Sequence, residues 1–103
     1  MTVVVSYLTT REGEAALTAA IEEAQRRRSR LVVVLARRGR GEDQATLEAE
    51  ADAVRDRLDQ ADIPYEVQPV RRGKDVAEDM VETAEAHDAE LIVIGLRRRS
   101  PVG

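Results

Sequence analysis

The chain has 103 residues, 43% hydrophobic and 35% charged, which accommodates one domain over 1–103 and excludes two ordinary ones. Sixteen basic against twenty acidic residues leave a net charge of −4, which excludes bulk attraction to nucleic acid or to an anionic membrane. The absence of cysteine excludes disulfides, thiolate zinc sites and thiol nucleophiles.

The first predicted strand is Thr2 to Ser6, a β-branched run without alternation, as expected of a strand covered on both faces. A helix start follows at Thr9 to Glu12, with Thr9 and Glu12 at capping-box spacing. Ala16, Leu17, Ala20, Ile21 and Ala24 then recur at helical spacing. Arg26, Arg27 and Arg28 close the helix on the favourable pole of its dipole. Leu31 to Leu35 reads as a second buried strand, and Gly39 and Gly41 mark a loop. A second helix is predicted from Glu42 to Ala61, its apolar stripe being Leu47, Ala51, Val54, Leu58 and Ala61. Ile63-Pro64 stops it. Tyr65 to Val70 alternates with period two, and Pro69 makes this third strand an edge. A third helix begins between Gly73 and Asp75, with Val76, Ala77, Met80, Val81 and Ala84 as its expected inner face. Leu91 to Gly95 reads as a fourth buried strand.

Alternation of strands and helices over short connections implies parallel strands and right-handed crossovers. The expected fold is α/β, a flavodoxin-like (HUP-type) parallel sheet of strand order 3-2-1-4. An apolar fourth strand is a poor edge, so a further strand or a second copy is expected to cover it. No apolar run approaches the ~20 residues of a membrane span, and no charged-then-apolar leader opens the sequence. A soluble cytoplasmic protein is the expectation. Tyr7 and Tyr65 are the whole aromatic complement, which argues against a base-stacking platform.

Ligands of open α/β sheets bind beyond the carboxyl ends of the strands, where the strand order reverses. Here that point lies between the first and fourth strands. Arginines gather at the same edge: Arg37, Arg38 and Arg40 after the second strand, Arg71 and Arg72 after the third, and Arg97, Arg98 and Arg99 after the fourth. Guanidinium forks and a helix N-terminus suit a phosphate-bearing ligand; solvated or helix-paired loops are the alternative. The candidate ligand-binding residues are Tyr7, Thr9, Thr10, Arg37, Arg38, Gly95, Arg97, Arg98 and Ser100. Tyr7 has packing as its alternative role, and Thr9 and Thr10 have capping. His87, the only histidine, has no partner base or nucleophile in the sequence and reads as structural. Asp75, Glu78, Asp79 and Glu82 have the spacing of a solvated helix face, and no metal is expected. Walker-type, Gly-x-Gly-x-x-Gly and nucleophile-elbow motifs are absent.

Several stretches carry a family resemblance: Val3-Val4-Val5, Glu14-Ala15-Ala16-Leu17, Leu31 to Val34, Ile63 to Val67, the Gly73 turn, and above all Ala89 to Gly103. Together they resemble the universal stress protein family over essentially the whole chain. The resemblance implies a five-stranded parallel sheet, a homodimer, and a stress-response regulator rather than an enzyme. In one branch of the family it implies ATP held by a G-x2-G-x9-G-[ST] loop, with an aspartate after the first strand. Gly95 matches the first glycine, Arg98 stands at the second, and none of Ser6, Tyr7 and Leu8 is acidic. The family's fourth helix and fifth strand would follow Gly103. The expectation is therefore a regulator that binds a nucleotide in an altered way. The alternative is a dimeric adaptor of the same fold, without a nucleotide, acting on a protein partner.

Overall fold

The computed structural model describes residues 1–8, 10–36, 44–70 and 75–95. The elements alternate as the sequence predicts: β1 (Thr2–Tyr7), α1 (Arg11–Arg27), β2 (Arg30–Leu35), α2 (Gln44–Ala61), β3 (Tyr65–Pro69), α3 (Val76–Ala86) and β4 (Leu91–Val93). The four strands form one parallel sheet of order β3-β2-β1-β4. β1 pairs with β2 from Thr2↔Arg30 to Tyr7↔Leu35 and with β4 from Val3↔Leu91 to Val5↔Val93. Pro69 sits where an edge strand tolerates a missing amide: among the described residues β3 pairs with β2 alone.

Alternation along β1 divides the core. Val3, Val5 and Tyr7 face α1 and α2, with Leu17, Leu31, Val33 and Leu58. Val4 faces α3 with Val32, Val34 and Met80. The six valines of β1 and β2 are fully buried, and each contributes roughly 1.5 kcal/mol or more by leaving water. On α1 the buried residues facing β1 are mostly alanine, which lets the helix approach the sheet closely.

The helix ends correct one prediction. The N-cap of α1 is Thr10 rather than Thr9: the Gly13 amide donates to Thr10 Oγ1 at 3.0 Å. Thr9 itself lies outside the described residues. The C-terminal signals are unusual, because Arg28, Asp62 and Asp88 all adopt left-handed φ of 52–56° after the three helices. At two of these ends the chain turns back through Ser29 N–H to Ala24 O (2.9 Å) and Ala89 N–H to Ala84 O (2.8 Å).

Two further predictions are corrected on the α3 side. Asp79 and Thr83 are buried there with Met80 and Ala84, whereas Ala77 is exposed and Val81 is 51% exposed. β4 spans Leu91–Val93 rather than reaching Gly95, and Ile92 and Ile94 are 38% and 54% exposed. Both corrections share one cause. Among the described residues α3 is the only helix on this face. It packs mainly against the central β1, with Val4, Val32 and Val34 in its cluster, and leaves Ile92 and Ile94 partly exposed. The predicted start of α2 at Glu42 also lies outside the described residues, since the described helix begins at Gln44.

Candidate functional site

The order reversal falls at β1, whose two neighbours are β2 and β4. Beyond its carboxyl end lies a crevice of about 380 Å³ lined by Ser6, Leu8, Thr10, Glu12, Gly13 and Gly95. Each wall follows from local structure. Ser6 and Leu8 are the alternate residues of β1 and its exit. Thr10, Glu12 and Gly13 form the cap and first turn of α1. Gly95 follows β4.

Two glycines make the crevice. A Cβ on Gly13 would stand 1.9 Å from the Leu8 carbonyl oxygen. One on Gly95 would stand 2.5 Å from the Glu12 carbonyl oxygen. Only bare backbone lets the exit of β1, the first turn of α1 and the end of β4 meet so closely. The result is a recess walled largely by main chain at a helix N-terminus, where the first-turn amides of Arg11 and Glu12 have no intrahelical acceptor. Thr10 Oγ1 accepts the Gly13 amide, which leaves its hydroxyl proton free to donate.

Tyr7 stands apart from this recess. Its side chain lies on the α1/α2 face, 7% exposed, and its phenol donates to Glu14 Oε1. Arg57 of α2 donates to Glu14 Oε2 at 2.7 Å and to Thr18 Oγ1. Burial above all, then the hydrogen bond and the negative charge of Glu14, push the Tyr7 phenol up to about 12. The cluster ties α2 to α1 and β1.

Of the sequence candidates, the structure thus brings Thr10 and Gly95 together in the crevice and places Tyr7 behind it. Thr9, Arg37, Arg38, Arg97, Arg98 and Ser100 lie outside the described residues. Sequence reasoning missed Glu12 and Gly13 as site residues. Glu12 had been read only as half of a cap, and nothing in the spacing of Gly13 announces its contact with Leu8. His87 lies in the α3–β3 groove, its Nε2 3.7 Å from Glu66 Oε2. Among the described residues no cluster of three His, Asp or Glu could hold a metal ion. No described helix is long and apolar enough to cross a membrane.

A family model described as the universal stress protein family matches residues 1–103. A protein of Mycolicibacterium smegmatis described as a universal stress protein is 38% identical, over 98% of this chain and 78% of its own. A universal stress protein structure from Archaeoglobus fulgidus superposes with a TM-score of 0.78 at 30% identity, covering 100% of this chain and 81% of that one. Another structure from that organism, in complex with dAMP, superposes with a TM-score of 0.72 at 29% identity, over 91% and 79% of the two chains.

Proposed function

The chain belongs to the universal stress protein family, and from that premise we propose that it is a cytoplasmic stress-response regulator that binds a nucleotide in the crevice between β1 and β4. The observation that carries the reading is the glycine-floored recess at the N-terminus of α1. Main-chain walls admit a phosphate ester closely, and unsatisfied first-turn amides favour its charge. A related protein is known in complex with dAMP, which supports a nucleotide as the ligand class. ATP is the member of that class proposed for this chain. Thr10 and Gly95 line the recess, and Thr9, Arg37, Arg38, Arg97, Arg98 and Ser100 are proposed to complete the phosphate contacts. The proposed role is sensing rather than turnover, without a metal requirement.

Isothermal titration with ATP tests the reading. The double substitution Arg97→Glu, Arg98→Glu is expected to weaken binding at least tenfold, since charge-assisted hydrogen bonds contribute about 1.5–3 kcal/mol each and ~1.4 kcal/mol is a factor of ten. Unchanged affinity would move the site elsewhere.

A second reading, a homodimeric adaptor acting on a protein partner without a nucleotide, is favoured by the open side of β4. Ile92 and Ile94 are exposed there, on a strand that among the described residues pairs with β1 alone. Under this reading the wild-type chain sediments as a dimer that ATP does not alter, and Ile92→Glu yields monomer. Saturable ATP binding at micromolar concentration would count against it.

A further inference from the structure

The walls of the crevice are largely main chain, so its width depends on how the exit of β1 is held against the first turn of α1. Tyr7 is the last residue of β1, in register with Leu35, and its carbonyl accepts the Ala36 amide at 2.8 Å. Leu8 follows it in the crevice wall, and Thr10 already caps α1. One side-chain bond spans the same gap from behind: the Tyr7 phenol donates to Glu14 Oε1. Glu14 comes directly after Gly13, the residue through which α1 approaches the Leu8 carbonyl. Its other carboxylate oxygen accepts from Arg57 of α2 at 2.7 Å, and Arg57 also donates to Thr18, one turn further along α1. The carboxylate therefore joins the end of the central strand to both helices of that face.

A buried phenol needs a partner in any case. Tyr65, the only other tyrosine of the chain, likewise donates to a carboxylate, Asp59 Oδ1 at 2.8 Å, and so ties β3 to α2. The two bonds differ in place. Tyr65 opens β3 at the amino edge of the sheet, whereas Tyr7 and Glu14 adjoin the two backbone segments that wall the crevice at the carboxyl edge. A recess that offers backbone amides cannot adapt to a ligand by changing rotamers. Its affinity depends on spacing that is fixed in advance by the groups behind it.

We propose that Tyr7 and Glu14 are positioning residues of the crevice: their hydrogen bond, anchored to α2 through Arg57, holds the first turn of α1 at the distance from β1 at which its amides meet a phosphate. Neither side chain touches the ligand. This rests on the nucleotide reading above, and it gives a role in binding to a phenol that lies outside the recess.

The test is calorimetric titration of ATP into wild type, Tyr7→Phe, Tyr65→Phe, Glu14→Ala and the double variant Tyr7→Phe, Glu14→Ala. Thermal melts confirm that each is folded at the titration temperature. Tyr7→Phe is expected to weaken ATP about fivefold, the scale of one ordinary hydrogen bond. Tyr65→Phe makes the same chemical change and loses the same kind of bond, and should leave the affinity at its wild-type value. In the Glu14→Ala background Tyr7→Phe should have no further effect, because the bond is already gone; the change of charge at position 14 is common to both arms and cancels. Equal weakening by the two tyrosine variants would reduce Tyr7 to a contributor to stability and overturn the proposal. A Tyr7→Phe affinity equal to wild type, or a Tyr7→Phe effect that persists without Glu14, would overturn it while leaving the nucleotide reading standing. Wild-type protein that binds no ATP would overturn the nucleotide reading and the positioning role together.

Discussion

Replacing Gly13 by alanine sets two effects of opposite sign against each other. In the body of a helix this change ordinarily stabilises by about 1 kcal/mol, because glycine loses more backbone freedom on folding. At Gly13 the new methyl would lie 1.9 Å from the Leu8 carbonyl oxygen and 2.9 Å from the Leu8 carbonyl carbon and amide nitrogen. Relief requires the first turn of α1 to move more than an ångström from β1. The obstacle is main chain at the end of the central strand, so no side chain can swing aside. Overpacking of this kind costs roughly 1–3 kcal/mol, and rigid backbone puts it at the upper end. The net expectation is a loss of about 2 kcal/mol, a fall in Tm of roughly 8–16 °C for a domain of this size. Urea unfolding followed by circular dichroism measures it directly. Ala15→Gly, at an exposed position of the same helix, is the control and should cost about 1 kcal/mol. A Gly13→Ala protein as stable as wild type, or more so, would refute the claim that close approach dictates glycine here.

Glycine is expected to help where the structure uses another residue against preference. Arg28, Asp62 and Asp88 hold left-handed backbone, at a cost of about 1–2 kcal/mol each that the extra freedom of an unfolded glycine partly offsets. Each single change to glycine should gain roughly 0.5 kcal/mol, with Asp88 adding independently while Arg28 and Asp62, which line one recess, are close enough to couple; a lowered urea midpoint would contradict this. Alkaline titration should expose Tyr7. Its folded pKa of about 12 lies above the ordinary 10, so its contribution is fully present below pH 10 and is lost as pH rises toward 12. The difference bounds the effect at about 2.7 kcal/mol, and solvent screening reduces it to about 1. Tyr7→Phe should flatten that part of the stability–pH curve, and an unchanged slope between pH 10 and 12 would exclude Tyr7 as its source.

The strand order was legible because its signals are local and redundant. Uninterrupted valines mark β1 and β2 as central, and Pro69 with the alternation of Tyr65 to Pro69 marks β3 as an edge. The α3 face was misread for a reason of geometry. Hydropathy placed Ala77 and Val81 inside, but a helix that packs mainly against one strand of its face, β1, buries a narrower stripe. That stripe takes in Asp79 and Thr83 and leaves Val81 outside. The crevice was half legible. Its position followed from the order reversal, and Thr10 and Gly95 were named. Glu12 and Gly13 were not, because their significance lies in what Leu8 and Gly95 do across space.

Unequal coverage of the two sheet faces has a kinetic consequence. β1, β2 and α1 share an interior of fully buried side chains, whereas β4 is held by three paired residues, with Leu91 and Val93 only half-buried on the α1 side and Ile92 exposed on the other. Opening free energy is lowest where burial is thinnest, so α3 and β4 should exchange their amide hydrogens ahead of the centre. Gly95, one wall of the crevice, belongs to that looser unit, and Thr10 and Glu12 belong to the firmer one. A ligand spanning the crevice would fasten the two together, so that occupancy registers as slower exchange along β4 even where the average coordinates do not move.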